Sequence, residues 1–359
     1  MIPFFLLVSL QVAHCYAAPS VSYDARSLIL NGERAFTLSG SIHYQRVLPA
    51  DWPRVLQLAV EMGLNSVQTY VLWDEHEAAE GAVSFSGGNN LTAFTALAGS
   101  LGLRVHVRIG PYICGEHFNG GIPTWMRARA ACFRCADPGW EAFSKRVLGL
   151  VVGQLTAAGQ LWTQGGPVFM LQVENEYSGP DAQYLTDMVM AARALTTDVP
   201  WVLCHDLELC SKINAAPGAP PGGFALCTIN GFWMEQAAPF VDQPSPSWVA
   251  LQRASNPRQP MGWTEDQGAG QQLALGGARC IHPPAHTHTA PRTQTPSRLV
   301  RSVGRGSARA RCQRHPLRHR AQHCVRLFPP QLLHAHGRLQ FWLLRGGRRH
   351  HRVRAGHRH

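Results

Sequence analysis

The chain has 359 residues and a formal charge of +11, from 33 Lys and Arg against 22 Asp and Glu. From Gln267 to His359 there is no Asp or Glu, yet 18 of the basic residues, all Arg, and 12 of the 18 His lie there. What precedes carries 15 basic and 22 acidic side chains, so the positive total belongs to one stretch and excludes the reading of the whole chain as a nucleic-acid binder.

Pro3 to Ala13 is largely apolar, with Cys15 and Ala17 at −3 and −1 of a cut after Ala17. Residues 1–18 therefore read as a secretory signal peptide, and no later run reaches the roughly 18 apolar residues of a membrane span. The sequon Asn90-Leu91-Thr92 fits secretion. Residues 19–266 then alternate strand and helix signals. Phe36–Tyr44 reads as a strand, Trp52–Met62 as a helix stopped by Gly63, and Ser66–Trp73 as a strand. Leu91–Leu101 is helical, Arg104–Tyr112 extended, and Trp140–Ala158 the longest helix. Val168–Tyr177 is a strand, Ala182–Leu195 a helix, and Trp201–His205, Ala225–Ile229 and Met261–Glu265 complete the strands. Seven strands mostly divided by helices predict a parallel sheet, and the span matches an α/β barrel of about 250 residues. An open doubly wound sheet would want a Gly-rich turn after its first strand, which is absent. No eighth strand is readable.

Six of the ten cysteines fall in this body. Cys132-Phe133-Arg134-Cys135 has no second pair at zinc spacing, so a disulfide or buried thiols are expected rather than a metal. Cys204, Cys210 and Cys227 offer one further bridge, its pairing open.

The most informative stretch is Val168 to Tyr177, an apolar strand running into Glu174-Asn175-Glu176-Tyr177. In an α/β barrel, polar groups at a strand's carboxyl end stand where chemistry is done. Glu265, in Trp263-Thr264-Glu265-Asp266, has a similar setting. Two carboxylates on two strand ends are what glycoside hydrolysis uses, one as acid and one as nucleophile. Glu176 and Glu265 are the candidates. Glu174 alternates with Glu176 along the strand and is read instead as a buried carboxylate paired with an Arg. Asn175 has an amide suited to a sugar hydroxyl. By themselves, Glu116 reads as a solvated loop carboxylate and Tyr70 as core.

Five segments in order carry a resemblance: Ser39 to Tyr44; Gly63 to Trp73 with His76-Glu77; Arg108 to Glu116 with Gly120-Gly121-Ile122-Pro123; Gly165 to Tyr177; and Trp263-Thr264-Glu265. Over residues 20–266 the chain resembles glycoside hydrolase family 35, the β-galactosidases, and Val199 to Cys204 resembles its plant-type branch. The resemblance implies an eight-stranded (β/α)8 barrel and a retaining exo-β-galactosidase acting on terminal non-reducing galactosyl residues of a glycan. It implies Glu176 as acid/base, Glu265 as nucleophile and Asn175 on the sugar 2-hydroxyl. It places Tyr70, Ile113, Cys114, Gly115 and Glu116 around the galactose. His117 stands where the family has Trp, which puts substrate preference in question. No cofactor, metal, nucleic-acid partner or membrane span is implied, and the compartment would be extracellular, cell-wall or lysosomal/vacuolar. The alternatives are a barrel acting on another terminal β-glycoside and an inactive barrel with weak sugar binding.

Beyond Glu265 the family continues with Trp-x-Gly-Trp-Phe and a last barrel strand bearing Tyr-Tyr-Met, Gly-Gly and Asn-Phe-Gly; residues 267–359 show none of these. Under one permitted choice of codons, Gln331 to Gly347 read one base later become Asn-Tyr-Tyr-Met-Leu-Thr-Gly-Gly-Ser-Asn-Phe-Gly-Tyr-Tyr-Ala-Gly. The expectation is a frameshifted or mis-spliced boundary after Glu265, and a chain that folds poorly and is weakly active. The competing reading is a disordered basic tail that binds polyanions.

Overall fold

A computed structural model describes residues 18–204, 207–232, 248–267 and 341–343. The expected signal peptide, apart from Ala18, and all of the basic stretch except Gln267 and 341–343 lie outside them.

Three short strands, β1 (Val21–Tyr23), β2 (Leu28–Leu30) and β3 (Glu33–Ala35), form an antiparallel sheet ahead of the barrel. The barrel strands are β4 (Leu38–Ser41), β5 (Ser66–Tyr70), β6 (Arg104–Gly110), β7 (Val168–Val173), β8 (Trp201–Cys204), β9 (Leu226–Phe232) and β10 (Trp263–Gln267). Each pairs in parallel with the next. The eighth place is taken by β11 (Phe341–Leu343), antiparallel to both β10 and β4. The ring closes through a three-residue strand that the sequence does not announce.

The alternation of residue types explains the layering. Val105, Val107 and Ile109 of β6 face the helix layer with Leu171 and Val173 of β7. The residues between them, His106 and Arg108, are buried too. They lie among Gln68, Gln172, Thr228 and Thr264, which fill the strand layer with polar groups. Gln68 Nε2 donates to Thr264 O at 2.9 Å, and the hydroxyls of Thr228 and Thr264 bond one another. Leu28 and Leu30 of β2 pack on Phe169, Val202 and Leu226, at the amino ends of β7, β8 and β9. That end is apolar and plugged, which leaves the carboxyl ends for chemistry.

The main helices are α1 (Trp52–Glu61), a one-turn α2 (Trp73–His76), α3 (Leu91–Ser100), α4 (Pro138–Ala157), α5 (Ala182–Leu195), α6 (Leu207–Asn214) and α7 (Trp248–Ser255). Asn90, Asp137 and Asp181 cap α3, α4 and α5 by accepting from the amides of Ala93, Trp140 and Tyr184. α4 buries Val147, Leu148, Val151, Val152 and Leu155. Among the described residues Cys132 is bridged to Cys135 and Cys210 to Cys227, while Cys114 and Cys204 are in no disulfide.

Several expected strands end early. Phe36–Tyr44 yields only Leu38–Ser41, and Ser66–Trp73 stops at Tyr70 before α2 begins. Val168–Tyr177 stops at Val173 because Glu174 and Glu176 have φ of 58° and 46°, left-handed values that no strand holds. Glu174 and Glu176 therefore do not alternate along one strand; they belong to the turn that follows it.

Candidate active site

The carboxyl ends of β5, β6, β7 and β10 converge on Arg108. It is fully buried, from the inward row of β6. Its guanidinium lies 2.7 Å from Glu265 Oε1 and donates to the Tyr70 hydroxyl and to Asn175 Oδ1. Tyr70 OH in turn donates to Glu265 Oε1 at 3.5 Å. One cation thus ties together three of the residues picked from sequence.

The electrostatics follow from burial. Burial raises the Glu265 carboxyl above its ordinary value; Arg108 opposes the rise, and the charges of Glu176 and Glu116 add to it. Glu176 is therefore close enough to be felt. Its Oε1 accepts from Asn230 Nδ2 at 3.0 Å, from the end of β9. Tyr70 is held well above its usual range by burial, so it stays a neutral donor. Burial pushes the Cys204 thiol up to about 12. A protonated Cys204 donates from Sγ to Asn175 Oδ1 at 3.3 Å and accepts from the Glu176 amide at 3.4 Å. Burial also takes His43 down to about 3, helped by Arg46, Arg108 and His117, so it is neutral beside Tyr70, with ring centroids 4.2 Å apart.

Asn175 is the best-defined group. Its Oδ1 accepts from Arg108, from Gln172 Nε2 at 3.4 Å and from Cys204. Those donors fix the amide's orientation, and Nδ2 is buried without a hydrogen-bond partner. An oriented, unused amide donor beside two carboxylates is what a sugar hydroxyl would meet.

Glu174 stands apart from this pair, as expected. Arg134 Nη2 lies 2.7 Å from its Oε2, and Tyr184 OH donates to its Oε1 at 2.6 Å. Ile113 is buried with Tyr70 and Leu72, and its amide donates to Gly120 O at 3.0 Å. That amide closes the loop after β6, so only the carbonyl of Ile113 is left for a ligand. Cys114, Gly115 and Glu116 follow in left-handed conformation, with φ of 52°, 58° and 46°. A Cβ on Gly115 would stand 3.5 Å from the Tyr70 ring and 3.7 Å from His43, so the loop lies against the site. Glu116 is exposed, yet its charge reaches Tyr70 and Glu265. Beside it, His117 Nε2 is 2.7 Å from Asp74 Oδ2.

The sequence pattern did not mark Arg108 or Asn230 as site residues, and it offered Cys204 only as a disulfide candidate, whereas the bridge formed is Cys210–Cys227. Arg108 carried a signal: a charged residue on the inward phase of an otherwise apolar, alternating strand. The other two carried none that a single chain displays. Among the described residues no cluster of His, Cys, Asp and Glu could hold a metal ion, and no helix is long and apolar enough to cross a membrane.

Residues 27–279 match the family model described as Glycosyl hydrolases family 35. The chain is 34% identical over 286 residues to Beta-galactosidase 6 of Oryza sativa subsp. japonica, a match covering 77% of this chain and 30% of that protein. It is 33% identical over 240 residues to Beta-galactosidase 8 of Arabidopsis thaliana, covering 65% of this chain and 27% of that protein. It is 36% identical over 207 residues to Beta-galactosidase 13 of the same plant, covering 55% and 24%. The chain thus spans about a third or less of the length of these curated relatives.

Proposed function

Since the chain belongs to glycosyl hydrolase family 35, we propose that its barrel is built to hydrolyse terminal β-D-galactosyl residues of glycans with retention of configuration. Glu176 is the acid/base and Glu265 the nucleophile. In the first step Glu176 protonates the departing glycosidic oxygen while a Glu265 oxygen attacks the anomeric carbon, giving a covalent glycosyl ester. In the second, Glu176 takes a proton from water, which displaces Glu265. Arg108 opposes the burial-driven rise of the Glu265 carboxyl and, with Tyr70, fixes its orientation. The amide of Asn175 donates to the sugar 2-hydroxyl, a bond that strengthens as the oxocarbenium-like state develops. Glu116, Ile113, Cys114 and Gly115 line the sugar from the loop after β6. Two disulfides support passage through an oxidising, secretory compartment.

The observation that carries this reading is the Asn175 amide, oriented by three donors with its own donor unused, beside Glu265 and Glu176. The test is azide rescue on an aryl β-galactoside with a good leaving group. Glu265→Gly should lose roughly 10³-fold or more in kcat and regain turnover with azide, yielding the α-galactosyl azide. Glu176→Gly should yield the β-azide. Rescue with the anomers exchanged would reverse the two roles. Faster turnover of another aryl glycoside across a panel would move the substrate assignment, with His117 the first place to look. A second reading, sugar binding without turnover, rests on the three-residue antiparallel closing strand. Galactose binding lost on Glu116→Ala, in a parent chain with no turnover, would favour it.

A further inference from the structure

The Cys132–Cys135 motif has no part in the chemistry above, yet it brackets a residue that reaches the catalytic turn. Arg134 sits in a bend between Ala128 and Pro138 at φ 57°. Its Nη2 lies 2.7 Å from Glu174 Oε2 and donates to the carbonyl of Asn175 at 2.5 Å. Its guanidinium carbon is 4.0 Å from the centre of the Tyr112 ring and 5.3 Å from that of Tyr177. On its flanks, Phe133 packs on Trp140 with centroids 5.2 Å apart, and the Ala136 amide donates to Asp181 Oδ2 at 2.7 Å. The bend is anchored on both sides of the segment Glu174 to Asp181.

That turn needs holding. Glu174 and Glu176 are both left-handed non-glycine residues, and such conformations cost of order 1–3 kcal/mol each unless their surroundings impose them. Arg134 grips the side chain of the first and the carbonyl between them, and is itself left-handed. The Cys132–Cys135 disulfide closes the bend on either side of Arg134.

We propose that Arg134 is a positioning residue for the acid/base. Held by the Cys132–Cys135 clip, it sets the Glu174–Glu176 turn and, through it, the place of the Glu176 carboxylate. This rests on the assignment of Glu176 made above. Cys132 is exposed, so a dithiol can reach the clip; its two thiols would supply two electrons and two protons, opening one disulfide and forming another in the reductant.

The test uses the full chain with Arg134→Met, Arg134→Lys and the double variant Cys132→Ser/Cys135→Ser, which leaves Cys210–Cys227 intact. Turnover of an aryl β-galactoside and backbone hydrogen exchange at residues 174–177 are measured on each. Arg134→Met should lower kcat by about 100-fold, the scale of a 1 Å misplacement, with KM changed little. Arg134→Lys should recover about tenfold of that, since one ammonium keeps the charge but cannot serve carboxylate and carbonyl as the fork does. The cysteine variant should lose about tenfold. Exchange at Asn175 and Glu176 should quicken in Arg134→Met and the cysteine variant, with the rest of the barrel unchanged. A kcat within about twofold of the parent in Arg134→Met, or no gain from Lys over Met, overturns the proposal. If the parent shows no turnover, the functional reading fails separately. Exchange then decides alone: quickening confined to the turn supports the positioning role, and an unchanged turn overturns it.

Discussion

Arg108 shows what a single residue contributes here and why sequence alone undervalued it. Glu176 and Glu265 stood out because carboxylates at strand ends have few structural uses, and Asn175 because an amide beside them suits a sugar hydroxyl; Tyr70 read as core and entered only through the family resemblance. A buried arginine has many. Its role exists only once β5, β7 and β10 bring Tyr70, Asn175 and Glu265 to its guanidinium, partners lying 38, 67 and 157 positions away. As the proposed nucleophile, Glu265 would attack in its ionised form, so kcat/KM is expected to fall as pH drops through its raised value. Arg108 is the group opposing that rise. Arg108→Gln should therefore move the acidic limb of the kcat/KM profile to higher pH, by about a unit or more. A limb that stays in place would show that Arg108 does not set the ionisation of Glu265. The site roles of Cys204 and Asn230 were hidden for a related reason: a thiol and an amide within strands have no pattern that points to a site until their neighbours are known.

At the scale of elements, strand interiors were legible and strand ends were not. Periodicity reports which residues are buried, and burial continues past the last ladder bond. β7 stops where two residues turn left-handed, a conformational event that hydrophobic pattern does not encode. β1, β2 and β3 have three residues each, too short to show a period. α5 was read to its observed limits, Ala182–Leu195, because a clean apolar face of Tyr184, Leu185, Met188, Val189 and Ala192 marks it. The caps also bear on the proposed site, since α4 and α5 begin beside the turn that carries Glu174 and Glu176. Asp137 accepts from the Trp140 amide at 2.8 Å and from the Ala131 amide at 3.2 Å, so it caps α4 and anchors the disulfide bend. Asp137→Ala should cost about 1 kcal/mol for the lost cap, somewhat more for the Ala131 amide, read as a lower thermal midpoint. An unchanged midpoint would mean that water replaces the cap and that the bend is anchored elsewhere.

The whole molecule poses the question of closure. Seven parallel strands leave β4 and β10 as edges, and a barrel needs a strand between them to satisfy both. β11 does this with three residues in the opposite direction, one paired with β10 and three with β4. A parallel strand of ordinary length would leave fewer ladder groups open. Phe341–Leu343 falls inside Gln331 to Gly347, the stretch that reads as a last-strand motif one base out of frame. The shifted translation and the ladder in the frame as given point to the same segment for the eighth position. The expected result is that transcripts across codons 260–350 carry one continuous reading frame from Trp263-Thr264-Glu265 through Asn-Tyr-Tyr-Met. The protein so encoded should then unfold at a higher temperature than the 359-residue chain and turn over aryl β-galactosides faster, because a full parallel strand replaces β11. Transcripts that encode the Arg- and His-rich stretch as it stands would sink this idea. The barrel would then be closed by β11 alone, and weak turnover would follow from exposed groups on β4 and β10 rather than from any fault in the carboxylate pair.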